Sequence, residues 1–196
     1  MEQPVKDELS EVLFALEELY KQSERHQKNL FSPLMLLLND IYDAVGPQMD
    51  GELSGKFYDL LAFIEGRAKI MLHTLSMDSF TNLIYYFCKF RAGEDQFWAK
   101  MENSVIKNKD GMSAHHLCRV LLALVMNYRP VPHLIAEHLI GEILLKFDKV
   151  SAHDIFSLSI ALGKGNEKIP HRLISSDLYY SIYLRLMTAV HELDLY

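Results

Sequence analysis

The chain has 196 residues and a mass of 22.7 kDa, with 49% apolar and 23% charged residues. That composition excludes disordered, collagen-like and low-complexity classes, and it allows one domain that buries roughly 70% of its unfolded surface. A net charge of -6, from 20 basic and 26 acidic residues, argues against a dedicated nucleic-acid binder, whose footprint is a strongly basic face.

Helical periodicity dominates from the start. Leu9, Val12, Leu13, Leu16 and Tyr20 mark one face of a helix expected over about 6–25, with Glu17 and Lys21 as an i,i+4 pair on its wet side. Ser32-Pro33 reads as a helix start, because Ser caps free N–H groups and Pro suits the first turn. Leu34, Leu37, Leu38, Ile41 and Val45 continue it as an apolar stripe that Gly46-Pro47 stops. A third helix carries Leu53, Phe57, Leu60, Leu61, Ile64, Ala68, Met71 and Leu72, with Gly66 as a modest internal weakness.

The remainder repeats. Leu75-Ser76, Met112-Ser113 and Val150-Ser151 each set an apolar residue before a Ser, the pattern of an N-cap preceded by a hydrophobe. The three serines are 37 and 38 residues apart. Phe80, Leu117 and Ile155 share a position after them, as do Leu83, Val120 and Leu158, then Phe87, Leu124 and Leu162. Breaks follow at Arg91-Ala92-Gly93, Tyr128–Pro132 and Gly163–Glu167. Second helices then carry Phe97, Trp98, Met101 and Val105, and Leu134, Ile135, Leu139 and Ile143. The last unit keeps Leu173, Leu178, Ile182, Leu186 and Val190.

A two-helix unit recurring at this period predicts an all-α fold, a right-handed α-solenoid of helix pairs, within a single domain 1–196. Residues 1–28 form a capping helix, 29–74 a degenerate pair, and 75–111, 112–149 and 150–196 the repeats. The alternative is an irregular helical bundle.

The segments 112–124 (MSAHHLCRVLLAL) and 150–162 (VSAHDIFSLSIAL), and more weakly 75–87 (LSMDSFTNLIYYF), resemble the degenerate organellar repeats of FAST-kinase-like and octotricopeptide-type proteins. The resemblance implies a mitochondrial or plastid protein that binds RNA or serves as a subunit of a large assembly. Those families are longer and more basic, and the RAP-type domain many of them carry has no counterpart in this sequence, which leaves scaffolding as the better expectation.

Motifs for chemistry are sparse. Cys88 and Cys118 lie in apolar helical runs, match neither a redox nor a zinc spacing, and fit a reducing compartment. His115-His116 and His153 open equivalent helices about 10 Å apart, too far to share a metal. His133 and His138 are badly spaced for one helix face, so no metal or other cofactor is expected. Gly163-Lys164-Gly165 lacks the remaining P-loop residues and a preceding strand, and reads as a helix terminator. Cys118 with His115 at i-3 is the one arrangement that resembles a nucleophile and its base. It is set against a buried thiol, and no enzyme is expected. Runs such as 34–38 and 120–126 are too short to span a membrane, and the acidic N-terminus is neither a secretory nor a transit signal.

Contact surfaces remain. On the first helix of each repeat, the positions off the core face are Asn82, Tyr85 and Tyr86, then Arg119 and Leu122, then Ser157 and Ile160, and with Leu195 and Tyr196 of the tail they are the expected partner-binding residues. Should RNA be the ligand, Lys100, Lys107 and Lys109 would contact it, within a basic group that includes Lys89, Arg91 and Arg119, with Tyr85, Tyr86 and Trp98 as stacking platforms. The function expected is a non-catalytic scaffold subunit of a larger mitochondrial assembly, with other protein subunits as partners; the alternative is an RNA-associated organellar factor.

Overall fold

The computed structural model describes residues 3–22, 27–126 and 133–165, with single positions at 180, 183, 184, 187 and 188. The fold is all-α: the described residues form eight α-helices and no strand. They are α1 (Gln3–Gln22), α2 (Gln27–Val45), α3 (Gly51–Met71), α4 (Met77–Phe90), α5 (Asp95–Asn108), α6 (Ala114–Met126), α7 (His133–Leu145) and α8 (Ala152–Gly165). The chain divides into two compact units, Met1–Trp98 and Ala99–Tyr196, with the boundary inside α5.

The three serines are N-caps. Ser76 Oγ accepts from the Ser79 N–H, Ser113 Oγ from the His116 N–H and Ser151 Oγ from the Asp154 N–H, each at 3.2 Å. A short 3₁₀ turn precedes every one of them, at Leu72–Thr74, Lys109–Gly111 and Phe147–Lys149. The same device occurs once more at Gly46–Gln48, where Asp50 Oδ1 accepts from the Leu53 N–H at 3.1 Å. The turn closes the preceding helix, the apolar residue anchors the corner, and the cap starts the next helix.

In the first unit, α1 packs on α3 and α2 on α4. Lys6 pairs with Asp50 at 2.6 Å, Lys56 bonds to Ser10, and the Tyr20 and Phe63 rings meet edge to face. Contacts that rise together along both helices show that α1 and α3 run parallel. Ser32 with Ser79 (2.9 Å) and Lys89 with Asn39 (2.6 Å) and Asp43 order α2 and α4 in the same sense. The core holds Leu13, Phe31, Met35, Leu38, Phe57, Leu60, Leu61, Ile64, Phe87 and Phe90, all at most 1% exposed.

Two boundaries differ from the sequence reading. Helix α1 begins at Gln3, three residues earlier than expected, and its expected end at residue 25 lies outside the described residues. Ser32-Pro33 lies inside α2 and starts nothing. Burial of Phe31, Leu34, Met35, Leu38 and Ile41 outweighs the backbone hydrogen bond that Pro33 removes. Leu37, assigned to the core stripe, is exposed, as is Val12 on α1.

At Arg91-Ala92-Gly93 the expected break is present. Arg91 is left-handed (φ 55°), the Ala92 N–H reaches back to Phe87 O at 3.0 Å, and Gly93 has φ 99°. The Trp98 indole N–H donates to Ala92 O at 3.1 Å. Glu65, buried on α3, accepts from the Glu94 N–H at 3.2 Å and pairs with Lys69 at 2.5 Å.

In the second unit, α6 packs mainly on α8 and also on α7. Leu117, Val120 and Leu121 of α6 meet Ile155, Leu158 and Ala161 of α8 in a core that also takes Ile135, Leu139 and Ile143 from α7. The break expected at Gly163–Glu167 does not begin at Gly163: α8 runs through Gly165. Glycine weakens a helix interior by only about 1 kcal/mol, less than continued hydrogen bonding and packing return. The break at Tyr128–Pro132 and the positions Leu173, Leu178, Ile182, Leu186 and Val190 lie outside the described residues.

A Cβ at Gly93 would stand 2.7 Å from Phe97 Cδ1 and 2.8 Å from the Trp98 indole nitrogen, on a backbone that disfavours L residues. Gly93→Ala should therefore destabilise the protein by about 1–3 kcal/mol, read as a lower midpoint in urea unfolding; an unchanged midpoint would contradict this account of the turn.

Candidate functional site

The α6–α8 junction carries the densest polar chemistry of the second unit. The Asp154 carboxylate is buried at the first turn of α8. Its Oδ2 accepts from the Ser151 hydroxyl at 2.6 Å and from the Ser151 N–H at 3.4 Å, the latter closing a capping box, and its Oδ1 lies 2.7 Å from His115 Nδ1 on α6. Helices α6 and α8 are thus tied at their starts. Burial alone would raise the Asp154 pKa; the Ser151 hydroxyl, His115 and the Ser151 N–H outweigh it and hold the carboxyl below its usual range. In the repeat before it, His116 occupies the position of Asp154, with its Nδ1 3.0 Å from the Ser113 hydroxyl.

This arrangement separates the two members of the nucleophile–base pair that the sequence suggested. His115 Nδ1 is engaged by Asp154, and Cys118 is fully buried. Burial pushes the Cys118 thiol up to about 12, with a smaller push from the Asp154 charge, so it is a protonated packing group. Ser151 and His115 both face the carboxylate of Asp154, which is not the relay order of a hydrolase triad. Among the described residues no group of three His, Cys, Asp or Glu side chains is placed to hold a metal ion.

A second polar knot closes the 3₁₀ turn at Lys109–Gly111. Lys109 pairs with Asp110 (2.7 Å) and Glu142 (3.1 Å), and Lys146 donates to the carbonyl oxygens of Asp110 (2.9 Å) and Met112 (2.8 Å). Lys109, expected to contact RNA, is therefore committed to two carboxylates that hold its pKa up through hydrogen bonds to Asp110 and then Glu142. Lys100 and Lys107 are exposed on α5. Lys89 is taken up by Asn39 and Asp43. Trp98 and Tyr86 are buried, Tyr86 at 6.0 Å from the Phe90 ring, so neither offers a stacking platform.

Of the expected partner-binding residues, Asn82 and Tyr85 are half-buried on α4, while Tyr86 belongs to the core of its unit. The position reads as surface by register, but the ring turns inward onto Phe90. Arg119 and Leu122 on α6 and Ser157 and Ile160 on α8 are all half-buried at matching distances from their caps. Register from the caps gives these four corresponding positions on α6 and α8, which pack on each other. Leu195 and Tyr196 lie outside the described residues. Sequence reasoning missed Asp154 and Glu142 as organising residues, because their partners sit 39 and 33 positions away. The recurrence of His and Asp beside the caps was the available signal.

No described helix is long and apolar enough to cross a membrane. The chain matches no protein-family model and no curated protein.

Two outcomes follow. The folded pKa of Asp154 is depressed, so its stabilisation is complete above the unfolded carboxyl value and is lost as pH falls through the folded one. Asp154→Asn should remove about 2 kcal/mol at neutral pH and flatten the loss of stability below about pH 4, measured by urea titration at several pH values. Iodoacetamide should label Cys118 only after unfolding; fast labelling of native protein at pH 8 would contradict the buried thiol.

Proposed function

We propose that the chain is a non-catalytic helical-repeat scaffold, a subunit of a larger assembly that acts through protein contacts along the first helices of its repeats. The observation that carries this reading is the packing of helices two positions apart, α1 on α3, α2 on α4 and α6 on α8, with α3, α4, α6 and α8 each opened by a 3₁₀ turn and a capping oxygen. Parallel stacking of alternate helices is how hairpin repeats of an α-solenoid bury faces that one hairpin leaves uncovered. The set of Arg119, Leu122, Ser157 and Ile160 has the apolar and Arg composition of interface centres. The mitochondrial setting of the assembly rests on the repeat's resemblance to organellar proteins.

The polar groups described above support scaffolding over catalysis, since the carboxylates, His115 and the lysines of both knots are spent on holding helix starts and turns. RNA association finds less support, because Lys109 and Lys89 are each matched by carboxylates.

Purification of the tagged protein from its own cells, with and without nuclease, tests the reading. Stoichiometric protein partners that survive nuclease are expected, and Arg119→Glu with Ile160→Glu should remove at least some of them while helical circular dichroism is kept. Partners that vanish with nuclease, together with loss of RNA on Lys100→Glu with Lys107→Glu, would overturn it in favour of RNA.

A further inference from the structure

The α1–α2 hairpin carries a feature that the scaffold reading leaves unassigned. A groove of about 150 Å³ opens between the two helices, walled by Leu16, Leu19, Leu30, Pro33, Leu34 and Leu37. A groove of this volume has room for a group as large as an aromatic ring. Its walls reach solvent: Leu19 is 55% exposed and Leu37 41%. By helical register Val5 and Val12, each 41% exposed, extend the stripe towards the start of α1. From Val5 to Leu19 it covers four turns, about 20 Å. An exposed apolar stripe of that length marks an interaction site.

Among the described residues, the exposed charges that helical register places beside the groove are acidic. Glu8 and Glu11 stand on the outward side of α1 and Asp40 on that of α2, all exposed. Lys6 and Lys21 lie on the opposite side of α1, paired with Asp50 and with Glu17 and Glu18. A second copy of this chain would bring the same acidic edge to the groove, and the whole molecule carries a charge of -6. Like charges at an interface rim disfavour that occupant.

We infer that the α1–α2 groove docks an amphipathic helix of a partner protein, with apolar anchors at i, i+3/i+4 and i+7 and lysine or arginine on both flanks. The occupant's anchors fill the space between Leu16, Leu34 and Leu37, and its basic flanks meet Glu8, Glu11 and Asp40. This names the chemistry of one partner of the proposed scaffold and rests on that reading.

The test uses the full chain and two synthetic peptides of about five helical turns with the same leucine face, one flanked by lysine and one by glutamate. Fluorescence anisotropy should show the lysine-flanked peptide binding about tenfold tighter, with the preference shrinking at high salt. Glu8→Lys, Glu11→Lys and Asp40→Lys together should reverse the preference; all three are exposed, so the fold is retained. Photo-crosslinks from the peptide should fall on α1 and α2. Equal binding of the two peptides, no reversal in the triple variant, or crosslinks elsewhere would overturn the proposal. So would a dimer in sedimentation equilibrium that Leu19→Glu dissolves, since a second copy would then own the groove. Nuclease-resistant partners with no peptide preference would sink the groove and leave the scaffold standing; absence of partners would sink the scaffold whatever the peptides do.

Discussion

Among the described helices, α1 with α3, α2 with α4 and α6 with α8 cover one another's apolar faces across an intervening helix, and the cores of both units depend on that packing. Phe57 and Ile64 on α3, Leu38 and Phe31 on α2, and Leu117 and Val120 on α6 are sealed completely, in units where α1 meets α3, α2 meets α4 and α6 meets α8. Parallel neighbours require a helix of opposite sense between them in the chain, so this one packing demand sets the hairpin alternation. The turn before α4, α6 and α8 is built the same way each time: a 3₁₀ closure, an apolar corner residue and an oxygen that caps the next helix.

Polar side chains reinforce that geometry at the helix starts. Asp154 serves its own cap through Ser151 and helix α6 through His115, so one buried carboxylate fixes a helix start and ties two helices together. Lys146 does related work at the other turn by donating to the carbonyl oxygens that the 3₁₀ segment leaves open. A carboxylate, an imidazole and a thiol come close in space without forming a reactive centre. The thiol is desolvated and protonated, and the imidazole is occupied by the carboxylate. The α1–α2 groove, by contrast, exposes apolar side chains with Glu8, Glu11 and Asp40 nearby, and that is the chemistry of association.

Local signals were legible wherever the backbone's own needs decided the outcome. The Ser caps at 76, 113 and 151, the apolar corners before them and the buried face of α3 follow from unsatisfied N–H groups and a 3.6-residue period, both visible in a few residues of sequence. Pro33 and Gly163 misled because each was judged by its local cost alone. Phe31 and Met35 carry α2 past the proline, and α8 continues through its glycines.

The amino-acid sequence by itself determined the all-α class, the helix caps and the recurrence of one hairpin unit, since these rest on interactions between residues at most a few positions apart. Only the tertiary structure decided which helices pair, that Asp154 faces His115, that Tyr86 turns inward while Leu37 turns outward, and that Lys109 is neutralised by Glu142. Those outcomes depend on contacts between segments tens of residues apart. Helical register leaves a side chain at the edge of an apolar face free to point either way, and the neighbouring helix makes the choice.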